Sequence, residues 1–330
     1  MTEAERKRSA ALQLAGPFAT NDPADVRWLL CGRGRPVSAG SSPYAVELSD
    51  SAARVWYQDI ERTRVEAEER WEELGYEPAP YPWFELLPVQ LTHPGLQALR
   101  LELCPEEVDR YRRAAADAAG TLVDLLGTLH PEQRERDVAG ALAGRLHSRG
   151  FATPVVLVGG ERRAPVYRHP LPTEVTLGKF ALLAFTAERD GLHTSMTRIV
   201  SFGTPPPALE RAVEAAAEVD AAVLGAARPG RTLGELLDVA IAAYDALGLP
   251  EEWRRHHQGG LTGYKGREVF AAPGDETALP STCAVAFNPS VTGGGKSEDT
   301  VLVTHNGVEV LTRTPVLPEL PNGRPAIVAV

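Results

Sequence analysis

An α+β fold in two domains is what this sequence predicts: a smaller N-terminal α/β domain over residues 1–104, and a larger one over residues 105–330 whose two halves are related by a pseudo-twofold duplication. Three observations predict it. Short runs of apolar and aromatic residues in the first hundred positions are separated by Gly, Pro and Ser, the punctuation of strands and turns. At Cys104-Pro105-Glu106-Glu107 the pattern changes to a long helix, with its proline and acids in the first turn, where they suit the orphan N–H groups and the dipole. Beyond that point a helix hairpin with its trailing strands occurs twice.

Taken in chain order, residues 26–31, 44–48 and 53–57 read as strands, residues 60–75 as an acidic, arginine-rich helix, and residues 78–82 as a proline break. In the first hairpin Pro131 opens the second helix and Gly150 ends it; Pro229 and Gly248 play those parts in the second, over the same 19-residue interval. Val138, Leu142, Leu146 and Phe151 coincide with Leu236, Ala240, Tyr244 and Leu249, the i, i+4 apolar face of each copy. Strand-like segments follow at 154–158, 180–187 and 197–202, then at 284–287, 300–303 and 308–311. Antiparallel strands backed by paired helices, twice over, predict one curved sheet, with a site in the concavity where the halves meet.

Composition narrows the function. A hydrophobic content of 43% with 24% charged residues is that of an ordinary globular protein. A net charge of −10 and a pI near 5.4 weigh against nucleic acid and anionic membrane as partners, since both favour basic surfaces, and leave a small-molecule substrate as the expected partner. The longest apolar runs are too short for a bilayer span, and the Met1-Thr2-Glu3-Ala4-Glu5 start lacks a charged-then-apolar leader pattern, so a cytoplasmic place is expected. Cys31, Cys104 and Cys283 have no paired spacing, and neither a disulfide framework nor a zinc knuckle is indicated.

Four stretches carry a resemblance. They are Arg168-His-Pro-Leu-Pro-Thr173, Arg189-Asp-Gly-Leu-His-Thr-Ser-Met-Thr-Arg198, His256-His-Gln-Gly-Gly-Leu-Thr-Gly-Tyr264, and Asn288-Pro-Ser290 with Lys296-Ser-Glu-Asp-Thr300. In this order and spacing, residues 105–330 resemble the pita-bread superfamily of creatinase, Xaa-Pro aminopeptidases, prolidases and methionine aminopeptidases. The N-terminal part is similar in layout to the smaller domain of creatinase and prolidase. Metallopeptidases of that superfamily hold two divalent ions with two Asp, one His and two Glu, whose carboxylates offset and bridge the cations. Carried over position by position, the resemblance puts the first Asp on Ala184, the second on Ser195, the His on His256, the first Glu on Asn288 and the second on Glu298. Gly260 takes the place of the second His of the peptidase His-x-x-Gly-His pattern. One carboxylate and one imidazole leave nothing to bridge two cations, so no metal and no other cofactor is expected.

Creatinase is the superfamily's precedent for catalysis without metal, and its proton-shuttling His falls on His169. Pro170 and Pro172 restrict that backbone, and an imidazole suits a group that both takes and gives a proton. The resemblance thus implies a catalytic set of His169, Glu298 and His256. Arg168, Arg198 and Arg267 are candidates for a planar fork on a substrate carboxylate, and Ser195, His257, Tyr264 and Asn288 complete the expected substrate-binding wall. The run Gly293-Gly294-Gly295 reads as a mobile flap or a simple turn. The functional expectation is a metal-independent, creatinase-like hydrolase or lyase that cleaves or rearranges a C–N bond in a small polar substrate, and, by analogy, a homodimer. Two other readings stay open: a non-catalytic pseudo-peptidase that binds a peptide or protein, and an Xaa-Pro aminopeptidase-like metallopeptidase with a degenerate site, holding one ion on His256 and Glu298 with His257.

Overall fold

The computed structural model describes residues 1–37 and 42–330. It divides into two compact units, Met1–Arg110 with Asp190–Leu192, and Tyr111–Arg189 with His193–Val330. Among the described residues no helix is long and apolar enough to cross a membrane.

In the first unit the helix Glu3–Ala15 opens with a capping box, Thr2 and Glu5 exchanging side-chain and backbone hydrogen bonds. A four-stranded sheet follows, Phe18–Thr20, Tyr44–Leu48, Ala53–Gln58 and Glu77–Tyr81 in spatial order, with the last pair parallel. Trp71 fills its core edge-on to Tyr44 and Tyr57, at 5.1 and 5.6 Å between ring centres. Three local expectations are corrected here. Residues 26–31 are not a strand but fall largely in the helix Pro23–Leu29: the Asp22 carboxylate accepts from the N–H groups of Ala24 and Asp25 and Pro23 sits in the first turn, so cap chemistry outweighs the apolar run. Residues 60–75 form short broken turns instead of one helix, interrupted at Arg70 with its left-handed φ of 49°. The proline break is the edge strand Glu77–Tyr81; Pro78 and Pro80 alternate, so their missing N–H groups fall on one side of it.

The second unit carries the duplication. In both copies the hairpin's second helix begins at the fourth residue past the proline: Glu135–Ser148 after Pro131, and Leu233–Ala246 after Pro229, the latter with a Thr232/Glu235 capping box. One sheet consists of Ala152–Gly160, Phe180–Arg189 and Leu192–Ser201, extended by Val328–Ala329; the other contains Gly259–Thr262, Thr282–Phe287, Val301–Thr304 and Gly307–Val310. The Phe180–Arg189 strand is apolar almost throughout because both faces are covered. Ala181, Leu183 and Phe185 join Leu122, Leu142 and Leu146 in one cluster, while Phe180, Leu182 and Ala184 join Leu209 and Val213 in another.

The halves are stitched together by pairing of residues 195–197 with 298–300. Thr197 N–H donates to the Glu298 carbonyl at 3.0 Å, and Ser195 N–H donates to Thr300 Oγ1 at 2.8 Å. The triple-glycine run lies in the hairpin of Ser290–Val291 with Gly295–Lys296, and it is packed rather than flap-like. A Cβ on Gly295 would lie 2.0 Å from the Ala212 carbonyl oxygen of the helix Pro207–Ala226. Gly295→Ala is therefore expected to cost about 3 kcal/mol by overpacking against backbone that cannot swing aside; urea unfolding checks it, and unchanged stability would mean that the hairpin moves freely.

Candidate active site

A cavity of about 270 Å³ lies in the second unit, walled by Ala184 and Thr186 of the first sheet and by Arg267, Asn288, Lys296 and Glu298 from the second half. Lys296 and Glu298 are two residues apart on extended chain, which turns both side chains to the same side. Glu298 is the one carboxylate lining the cavity among the described residues, and both of its oxygens are engaged. Oε1 accepts from Arg267 Nη2 at 2.8 Å, Oε2 accepts from Thr197 Oγ1 at 2.7 Å, and Lys296 Nζ stands 3.9 Å from Oε2. Burial alone would raise the Glu298 pKa; Lys296, Arg267 and the Thr197 hydroxyl outweigh it and hold the carboxylate below its usual range.

Three imidazoles gather at the other side. His169 Nε2 and His256 Nε2 are 2.9 Å apart, His256 and His257 stack with ring centres 4.3 Å apart, and Phe270 stands edge-on to His257 at 4.9 Å. His169 and His257 are exposed and line the cavity, whereas His256 is buried behind them with its Nδ1 unpartnered. The strand after them needs glycine. Gly259 has φ 93°, and a Cβ there would lie 2.1 Å from the Ala286 carbonyl oxygen.

Burial, then the field of Lys296, lowers the pKa of His169, with Glu298 opposing. Burial lowers His256 to about 2, helped by Lys296, His257, His169 and Arg168; it lowers His257 to about 4, helped by Arg267, Lys296 and His169 and opposed by Glu298. A histidine whose folded pKa is depressed binds fewer protons folded than unfolded, so stability falls as pH drops below the unfolded value of about 6.5. His256→Asn is accordingly expected to flatten the loss of melting temperature between about pH 6.5 and pH 4; parallel slopes for variant and wild type would remove His256 from that role.

The structure brings together only part of the anticipated wall. His169, His257, Arg267, Asn288 and Glu298 line the cavity. Ser195 is one layer behind, fully buried, its Oγ 2.9 Å from Thr186 Oγ1 and accepting from Arg267 Nη1 at 3.2 Å. Arg168 is held outside by an ion pair with Glu252 and a 3.0 Å hydrogen bond to Thr292 Oγ1. Arg198 is turned away, donating to Asp299 at 2.9 Å and to the Thr197 and Thr312 carbonyls. Tyr264 is buried off the cavity. Sequence reasoning passed over His193, Thr186, Phe270 and Lys296 as lining residues. For Lys296 a signal was present, its alternate position before Glu298; for the others the placement depends on sheet packing.

As for metal, the nitrogens of His169, His256 and His257 lie within 4.8 Å of one another, spacing that can hold one ion. Among the described residues no carboxylate of the cavity is free to bridge a pair, and the buried Lys296 ammonium sets a positive charge beside the site. This donor set does not fit a two-metal centre.

Against known proteins, the pattern of metallopeptidase family M24 matches residues 109–305. An Xaa-Pro dipeptidase of Pyrococcus furiosus is 24% identical over 230 residues, 66% of this chain and 65% of that protein, so the match spans just under two thirds of the relative's own length. An agropine synthesis cyclase of Rhizobium rhizogenes is 36% identical over 124 residues, 35% of this chain and 31% of the relative. Among solved structures, the dipeptidase PepE of Mycobacterium ulcerans aligns over 99% of this chain and 98% of its own with a TM-score of 0.77 at 20% identity, a likeness of fold.

Proposed function

The chain belongs to metallopeptidase family M24 and has the pita-bread fold, and from that premise we propose a metal-independent hydrolase or lyase that acts on a C–N bond of a small polar substrate through the His169–His256 pair. The observation that carries this reading is the 2.9 Å contact between the two Nε2 atoms at the cavity wall. One of the two nitrogens must carry the proton and the other accept it. His256, whose depressed pKa keeps it neutral, is suited to be the acceptor. His169 then holds its proton on Nε2 and offers its other ring nitrogen to the substrate as a base. On taking a proton it becomes an imidazolium, whose charge strengthens the bond to His256 and is balanced by Glu298 in the same cavity. The same imidazolium can return the proton to a leaving nitrogen, the general-acid half of C–N cleavage.

Arg267 and Thr197 position Glu298, so the carboxylate acts by its fixed charge rather than by swinging to the substrate. The relatives named dipeptidases support the C–N bond as the target, and the relative named a cyclase supports rearrangement as well as hydrolysis. A homodimer in the cytoplasm, with neither nucleic acid nor membrane as partner, is part of the same reading; light scattering after gel filtration tests the dimer.

Metal content tests the central point. Protein incubated with manganese, cobalt or zinc and then desalted is expected to hold less than one equivalent, and a chelator is expected to leave turnover unchanged. Two tightly held equivalents, or turnover lost to the chelator, would return the chain to metal-assisted hydrolysis.

A further inference from the structure

We propose that Lys296 and Asn288 form a carboxylate-binding subsite in this cavity, making the substrate a small carboxylate with an apolar flank. The identification as substrate rests on the proposed function; the subsite itself stands on geometry.

The charges around the cavity do not cancel. Arg267 is committed to Glu298 at 2.8 Å, to the Gly266 carbonyl at 2.6 Å and to Ser195 at 3.2 Å, so that the charges of guanidinium and carboxylate offset each other, with only the guanidinium Nε unpartnered. Lys296 is left over. Its side chain is 4% exposed, its Nζ has no hydrogen bond among the described residues, and the one carboxylate in ion-pair reach is the already occupied Glu298, 3.9 Å away. An ammonium has three N–H donors, and burying it with none of them paired is costly. An anion entering the cavity relieves that cost.

Asn288 adds a second unused group: its side chain lines the cavity and makes no hydrogen bond among the described residues, and its amide, whose buried oxygen is unpartnered, offers the two Nδ2 donors to an entering carboxylate. The arginines that sequence reasoning offered as a carboxylate fork are all spoken for: Arg168 by Glu252, Arg198 by Asp299 and Arg267 by Glu298. Among the described residues, Lys296 is the one cation on the wall with no hydrogen-bonded acidic partner, its ion pair to Glu298 being 3.9 Å long. Being a compact point charge, it asks for an anion without demanding the planar two-point geometry of a guanidinium. Pro154, Val155, Leu157, Phe185 and Phe270 make the rest of the wall apolar, which suits a hydrocarbon substituent beside the carboxylate. A free cation is disfavoured by the same Lys296 and Arg267 charges.

Calorimetric titration of the full chain with hydrocinnamate, its neutral amide and phenylpropylamine tests the subsite without any chemistry. The acid is expected to bind about tenfold or more tightly than the amide, the worth of one desolvated charge-assisted pair, and the amine not to bind. Lys296→Met is expected to abolish the acid-over-amide preference, Lys296→Arg to keep most of it, and Asn288→Ala to reduce it. Equal affinity for acid and amide, no binding of the acid at millimolar concentration, or a preference that survives Lys296→Met each overturns the proposal. Should Lys296→Met fail to fold, Asn288→Ala and the acid-to-amide comparison on the wild type still decide. His169→Ala separates the two ideas. It is expected to keep the acid preference while losing turnover; a retained turnover sinks the histidine mechanism alone, and a missing preference sinks the subsite alone.

Discussion

Alanine at position 169 is expected to lower turnover by about 10²–10⁴-fold, the range contributed by one positioned proton-transfer group, while leaving the melting temperature unchanged. His169 is exposed and its side chain hydrogen-bonds His256, so its loss removes a base without opening the core. His256→Ala is expected to lower turnover too, by a smaller factor, because it removes the acceptor that fixes the His169 tautomer rather than the group facing the substrate. Turnover assays over small amides, lactams and amidines, run beside thermal melts, check both. A His169→Ala protein that turns substrate over at the wild-type rate ends the shuttle mechanism; one that loses turnover only by melting leaves the role unsupported.

The second large effect lies away from the cavity. Asp299 is buried between two guanidiniums, accepting from Arg198 at 2.9 Å and Arg324 at 2.5 Å, and from the Thr312 hydroxyl at 2.6 Å. Burial alone would raise its pKa; the two arginines outweigh that and hold it below the usual carboxylate range. Arg324 is shared with Asp220, which also accepts from Ser297 at 2.5 Å. Asp299→Ala leaves Arg198 and Arg324 buried with one carboxylate between them. The expected cost is about 3–5 kcal/mol, the penalty for breaking a buried pair by removing one partner. For a unit of this size the melting temperature falls by roughly 10 °C. Calorimetry decides, and a change below about 1 kcal/mol would show that the network is solvated in solution rather than closed. The depressed pKa carries a sign as well: the contribution of Asp299 is present above its unfolded pKa and is lost as pH falls through the lower folded value.

These two sites differ in how far they could be read from the chain. His169 and His256 stand in loop segments beside prolines and glycines, and the resemblance to pita-bread proteins already paired them in one cleft. Their direct contact was not readable, because it joins segments before and after the Pro207–Ala226 and Leu233–Ala246 helices. Arg198 shows the opposite outcome. Its planar guanidinium made it a candidate for a substrate fork, yet the pairing of residues 195–197 with 298–300 turns it toward Asp299, since alternate residues of a strand face opposite sides. Residues 26–31 failed for a local reason, a cap at Asp22 and Pro23 that outweighs an apolar run.

The α+β class, the helix led by Pro105, and the duplicated hairpins with their strands were determined by the sequence by itself, because each rests on periodicity and turn chemistry that act within a few residues. The tertiary structure alone decided which cations are spent and which is left over. Arg168, Arg198 and Arg267 are hydrogen-bonded to Glu252, Asp299 and Glu298, whereas Lys296 faces the cavity with only a 3.9 Å ion pair to the Glu298 that Arg267 already holds. The physical reason is range. Backbone preference is local, but whether a buried charge is paired depends on side chains brought within about 4 Å by strand register and sheet packing, from parts of the chain that no spacing rule connects.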